Sequence, residues 1–258
     1  MSDQWPDQET QAVILAGGKG TRLAEQSAII PKPMVEVAGK PLLQHIINKY
    51  LKHHVRSFII PVGYKKEIVF GYFMGQNPQE IIRYDRNMYF RFLHYTVRVV
   101  DTGDETMTGG RLKRIEHMLV NGGPFHFTYG DGLSDVDLDE LAILHNTSGA
   151  SATLTVVHPE GRFGRAYFNS DQSIYEFGEK LEGHTDWING GWSILNPSIL
   201  AYIKDDSTNL EKEVYPLLAR RGMMYGHKHV GFWKCIDTMR DLQDLQDIYK
   251  DQGEIWQK

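Results

Sequence analysis

Residues 15–23 read Leu-Ala-Gly-Gly-Lys-Gly-Thr-Arg-Leu and stand directly after an apolar run. Consecutive glycines expose backbone N–H groups, and Lys19 and Arg22 add positive charge, so this segment has the means to hold a phosphate chain. Two familiar phosphate loops do not fit. A dinucleotide fingerprint built on Gly18 and Gly20 needs a third glycine where Leu23 stands, and a Walker loop needs Ser or Thr where Gly20 stands. A glycine-rich surface turn is the plainer alternative. Lys32 lies between Pro31 and Pro33, which remove backbone freedom on both sides and hold the ammonium near one position. Asp131 is flanked by Gly130 and Gly132, and Asp237 precedes a helix-like run. A Gly-Asp-Gly turn and a helix N-cap explain the same two residues without a ligand, and for Asp237 alone the cap is the preferred reading.

These residues need elements to position them. Residues 11–15, 57–62, 92–100 and 125–129 read as strands, and residues 41–53, 65–74, 111–119 and 137–145 as helices. The first helix carries Leu42, Leu43, Ile46, Ile47, Tyr50 and Leu51 at helical spacing, and Asp135 is the candidate cap of the last. Such alternation implies an α/β fold: a Rossmann-like, mostly parallel sheet flanked by helices on both faces. From residue 152 the texture changes. Strand-like runs at 152–157, 165–168, 173–177 and 188–195, with few helices between them, predict a mixed or antiparallel extension. Helical pattern returns at 198–203, 211–221 and 238–251. No internal repeat or Pro/Gly/Ser-rich linker interrupts the chain, so residues 1–10 are expected to form a flexible tail and 11–258 a single domain.

Composition narrows the function classes. A chain of 258 residues with 41% hydrophobic content can build a large core, which excludes wholesale disorder. A net charge of -5 with 24% charged residues favours neither a nucleic-acid-coating surface nor an acidic tail, so any polyanionic ligand must be held by a local cluster. The single cysteine, Cys235, excludes an internal disulfide framework. No apolar run approaches the roughly 18–20 residues needed to cross a bilayer, and the first ten residues carry Asp3, Asp7 and Glu9 instead of a basic then apolar leader. A soluble cytoplasmic protein without nucleic-acid or membrane partners is expected.

The opening motif, followed by Pro-Lys-Pro-Met at 31–34, resembles that of nucleotidyltransferases that activate sugar 1-phosphates, and the resemblance runs from about residue 12 to near the end of the chain. Within that family, residues 100–114, Gly161-Arg-Phe-Gly164, Ile188-Asn-Gly-Gly191 and Gly231-Phe-Trp233 with Asp237-Thr238 are similar to the branch that joins CTP to glucose 1-phosphate. The resemblance implies that Leu15, Ala16, Gly17, Gly18, Gly20, Thr21 and Arg22 contact CTP, with Gly130 and Asp131 beside it. Lys32 is then expected on the phosphates, and Thr106 and Arg111 in the segment associated with the cytidylyl branch. Asp131 and Asp237 are similar to the pair that binds catalytic Mg²⁺, and Glu179, Lys180, Asn189 and Gly190 resemble the sugar-phosphate site.

The implied reaction is attack by a phosphate oxygen of glucose 1-phosphate on the α-phosphorus of CTP, giving CDP-glucose and pyrophosphate for deoxysugar or surface polysaccharide synthesis. The nucleophile is already anionic, so no general base is required, and Arg22, Lys32, Lys180 and Mg²⁺ are the groups suited to neutralising charge. The 11 histidines are not needed, and His53 and His54 read as solvated helix-end residues. The resemblance further implies a homo-oligomer. Two other readings stand beside this one: the same transfer with another nucleotide or sugar phosphate, and a catalytically silent nucleotide-binding regulatory subunit. Retention of Arg22, Lys32, Asp131, Lys180 and Asp237 together favours an enzyme.

Overall fold

Strand β1 (Gln11–Leu15) is buried at every position, and its side chains alternate between two cores. Ala12 and Ile14 enter one apolar cluster, Val13 and Leu15 the other, as period-two alternation requires of a strand covered on both faces. The computed structural model describes residues 10–18, 30–119, 122–158, 165–169, 172–178 and 187–257. After β1 come a short ribbon, β2 (Glu36–Val37) and β3 (Lys40–Pro41), and the helix Leu42–Lys52. β4 (Ser57–Val62) and the helix Lys66–Gly75 follow, then the hairpin β5 (Glu80–Tyr84) and β6 (Asn87–Arg91) and strand β7 (Thr96–Asp101). The helix Thr108–Arg114 leads to β8 (Phe125–Tyr129), β9 (Gly132–Ser134) and the helix Leu138–Ser148. The remainder contains β10 (Ala152–Val157), β11 (Arg165–Phe168), β12 (Ile174–Gly178), β13 (Ile188–Leu195), β14 (Met224–His229) and β15 (Trp233–Cys235), closed by the helix Met239–Gln252.

Nine strands form the main sheet in the order β14-β10-β13-β8-β1-β4-β7-β6-β5. Its centre, β8-β1-β4-β7, is parallel, as the strand–helix alternation predicts. The chain builds outward from β1 through β4 to β7, then returns to lay β8 on the other side of β1. That reversal makes the C-terminal ends of β1 and β8 a topological switch point, where α/β sheets open a crevice. The predicted mixed extension is present: β13 runs antiparallel to both β8 and β10, and β11 and β12 form a separate antiparallel pair. Among the described residues, no helix is long and apolar enough to cross a membrane.

Several sequence expectations shift. The strand predicted at 92–100 begins at Thr96, because Phe92 N donates to Tyr95 O at 2.9 Å in a tight turn and the two rings stack 4.6 Å apart. The β5–β6 hairpin was not legible, since β5 is a mostly exposed edge strand without apolar alternation. The predicted helix 111–119 is the helix Thr108–Arg114 followed by a 3₁₀ turn, Glu116–Met118. Asp137, not Asp135, caps the helix Leu138–Ser148: its Oδ1 accepts from the N–H groups of Asp139 at 2.8 Å and Glu140 at 3.0 Å. Asp135 instead faces His229, with Oδ1 2.9 Å from Nε2.

His126 of β8 is buried against Tyr50, ring centroids 5.3 Å apart, and its Nδ1 has no hydrogen-bond partner among the described residues. Burial, reinforced by the neighbouring His53, pushes its pKa down to about 4. The unfolded chain therefore takes up this proton below about pH 6.5 while the folded one does not, and stability falls as pH drops from there towards 4. Over that window the loss is about 3 kcal/mol. His126→Phe preserves a buried ring without a titrating nitrogen, so urea denaturation at pH 7 and pH 4.5 should show a flatter acid dependence for the variant; parallel curves would contradict this.

Candidate active site

The cleft at the switch point has a volume of about 350 Å³ and opens between Gly17–Gly18, the 104–108 segment and the end of β8 at Tyr129–Asp131. Its floor is set by close backbone approach. Gly130 N donates to Leu15 O at 2.9 Å, and a Cβ on Gly130 would come within 2.6 Å of Pro33. Only glycine lets Pro33 pack on this strand end. Pro31 and Pro33 bracket Lys32 at a 3₁₀ turn, closed by Met34 N to Pro31 O at 2.8 Å, so the packing of Pro33 against Gly130 also delivers Lys32 to Asp131.

Lys32 is almost fully buried. Its Nζ lies 2.6 Å from Asp237 Oδ1 and 3.7 Å from Asp131 Oδ2. The third element comes from pairing of β15 with β9, in which Cys235 faces Gly132, while Ile236 N donates to Asp131 O at 2.9 Å. That register carries Asp237 to Asp131 across more than a hundred residues. Thr238 settles the ambiguity over Asp237. It is the cap of the helix Met239–Gln252, forming a reciprocal capping box with Asp241, and the Asp241 carboxylate also accepts from Asp237 N at 3.0 Å. The carboxylate of Asp237 is thus turned to Lys32 instead of capping the helix.

The electrostatics follow from this crowding. Burial lowers the Lys32 pKa, but the hydrogen bond to Asp237 and the charges of Asp131 and Asp237 outweigh it, and the net shift is upward. Burial pushes the Asp131 carboxyl up, Lys32 opposes and Asp237 adds to it, with a net rise. Ligand atoms of Asp131, Cys235 and Asp237 lie within 4.8 Å of one another. Two hard carboxylate oxygens beside this cleft fit Mg²⁺; the thiol does not, since burial first and the two aspartates next push its pKa far up and keep it protonated.

Arg111, in the segment that the resemblance associates with the cytidylyl branch, borders the cleft. Its guanidinium lines the cleft but is committed to the protein itself: Nη1 donates to Val62 O at 3.0 Å and Thr102 Oγ1 at 2.7 Å, and Nη2 to Gly17 O at 2.8 Å. It acts as a strut that fixes the first glycine of the loop. Thr106 lines the cleft with its hydroxyl donating to Thr102 O at 2.5 Å. Leu15, Ala16, Gly17, Gly18, Lys32, Gly130 and Asp131 come together along the cleft. Asn189 and Gly190 lie on β13 and are not among the cleft-lining residues: Asn189 Oδ1 accepts from Gly191 N at 2.9 Å, and Gly190 O accepts from Trp233 Nε1 at 2.8 Å. Gly20, Thr21, Arg22, Glu179 and Lys180, like the 161–164 motif, fall outside the described residues. Pro33, Thr108 and Tyr129 line the cleft without having been assigned a role. Adjacency to Lys32 and Gly130 was the available signal for Pro33 and Tyr129, and for Thr108 it was membership of the 100–114 segment.

The nucleotidyl transferase family profile matches residues 11–252. Glucose-1-phosphate cytidylyltransferases of Salmonella typhimurium (strain LT2) and Salmonella typhi are each 41% identical over 253 residues, covering 95% of this chain and 98% of theirs. The crystal structure of HddC from Yersinia pseudotuberculosis superposes with a TM-score of 0.69 at 23% identity, covering 93% of this chain and 99% of that one, which supports the same fold.

A Cβ at Gly17 would fall 2.1 Å from Arg111 Nη1, an overlap that displaces either the loop or the strut. Gly17→Ala is expected to weaken nucleoside triphosphate binding by about tenfold or more, since a displacement near 1 Å is enough for such losses. Binding titration with a thermal melt as control checks it; unchanged affinity in a folded variant would show that the loop tolerates the shift.

Proposed function

The chain belongs to the nucleotidyl transferase family, and on that footing we propose that it transfers the cytidylyl group of CTP to α-D-glucose 1-phosphate, forming CDP-glucose and pyrophosphate for deoxysugar or surface polysaccharide synthesis. The observation that carries the reading is the meeting of Lys32, Asp131 and Asp237 at the edge of a cleft lined by Gly17 and Gly18. Identity of 41% to a glucose-1-phosphate cytidylyltransferase over 95% of this chain supports the choice of nucleotide and sugar.

In this mechanism a phosphate oxygen of glucose 1-phosphate forms a bond to the α-phosphorus of CTP as the bond to the departing pyrophosphate breaks. The attacking oxygen is anionic, so the protein's task is to bring two anions together and to oppose the charge gathering at phosphorus. Gly17 and Gly18 bring backbone close to the phosphates, with Arg111 holding Gly17 in place. Lys32, held by prolines and kept protonated by two aspartates, presents a fixed positive charge. Asp131 and Asp237 would hold Mg²⁺, which when bound supplies charge against the phosphates of CTP. Arg22 on the triphosphate and Lys180 on the sugar phosphate complete the reading.

A grid of nucleoside triphosphates against sugar 1-phosphates, followed by pyrophosphate release, tests it. CTP with glucose 1-phosphate should have the highest kcat/KM; a higher value for dTTP or GTP would reassign the nucleotide, and no pyrophosphate in any well would leave only a binding protein. Asp131→Ala should lower turnover by about a hundredfold or more at limiting Mg²⁺. The fold should survive, because Asp131 sits at a strand end with its side chain 32% exposed. Near-normal turnover in that variant would contradict the metal role.

A further inference from the structure

Glu211 lies outside every motif discussed so far, yet its carboxylate joins two walls of the cleft. It sits in a π-helical turn, Leu210–Val214, an element often found at functional positions. One carboxylate oxygen accepts from the hydroxyl of Tyr129, at the end of β8, and the other accepts from Thr108 Oγ1 at 2.8 Å. Thr108 Oγ1 in turn accepts from Leu210 N at 3.0 Å. Both Tyr129 and Thr108 line the cleft.

The surrounding chain reinforces this bridge. Met107 N donates to Asp206 O at 2.8 Å and Gly109 N to Thr208 O at 3.0 Å, while Arg114 grips the Asp206 carboxylate with Nε at 2.8 Å and Nη2 at 2.6 Å. Residues 206–211 therefore strap the segment that carries Thr106. On the other side, Gly191 at φ 87° leaves room for the Tyr129 ring, whose Cδ2 would lie 3.2 Å from a Cβ there. The ring is held by Gly191 below and by Glu211 at its hydroxyl.

We propose that Glu211 is a positioning residue for nucleotide selection: by accepting from Thr108 and Tyr129 at once, it fixes the distance between the 104–108 wall and the β8 wall of the cleft. This rests on the reading that the cleft takes a nucleoside triphosphate. A carboxylate fits the task because it is acceptor-only when ionised and can take two O–H donors simultaneously. Glutamine offers one acceptor oxygen and alanine none.

The test is steady-state kinetics and nucleotide-binding titration on wild type, Glu211→Gln, Glu211→Ala and Tyr129→Phe, using CTP, UTP, dTTP and GTP. Glu211→Ala should raise KM for the nucleotide that wild type prefers by about tenfold or more and lower its preference over the next nucleotide by a similar factor, with KM for the sugar phosphate within about twofold. Glu211→Gln should fall between wild type and Glu211→Ala, and provides the readout if alanine fails to fold. Adding Tyr129→Phe to Glu211→Ala should cost little more, because the two act as one unit. Unchanged nucleotide preference, or an equal rise in both KM values, overturns the proposal. A wild type that prefers another base reassigns the nucleotide above but leaves the ratio between wild type and variants readable.

Discussion

Three charged groups share one corner of this molecule: the ammonium of Lys32 between the carboxylates of Asp131 and Asp237. Two carboxylates with oxygens within 4.8 Å repel by about 3 to 4 kcal/mol at an effective dielectric constant near 20. They can be held together only if a cation is built in beside them. Lys32 is that cation, and the proline on each side of it, the glycine that admits Pro33 and the capping box that turns Asp237 towards it all serve the arrangement.

From this corner the rest of the cleft follows as support. The parallel strands β1 and β8 end side by side at the point where the chain reverses its direction of sheet growth, so a groove exists before any side chain is placed. Arg111 then does what a long, five-donor side chain can do when buried: it ties Gly17, Val62 and Thr102 into one unit. In the proposed reaction Lys32 brings the charge to the phosphates, whereas the arginine stiffens the Gly17 backbone. The opposite wall depends on Glu211 in the same way, through hydroxyl donors from Thr108 and Tyr129.

Local order was largely written in residue pattern. Ser57–Val62, Phe125–Tyr129 and Ala152–Val157 are strands at their expected bounds, because a short run rich in β-branched and aromatic residues has few alternatives. Pattern failed where packing was thin. The edge strand Glu80–Tyr84 faces solvent and shows no apolar period, and the helix start after Ser134 offered two aspartates of which only Asp137 reached the free N–H groups.

By itself the sequence determined the kinds of chemistry on offer: a glycine loop, a proline-bracketed lysine, and aspartates at a strand end and before a helix, each legible within a few residues. Only the tertiary structure decided which of them meet. Lys32 and Asp237 are 205 positions apart, and their 2.6 Å contact exists because β15 pairs with β9 in one register and Thr238 takes the cap. The bridge from Glu211 to Tyr129 spans 82 positions and left no trace in any local motif. Pattern along a chain encodes the conformation of neighbours, whereas a site is made by distances between residues that only a folded sheet brings together.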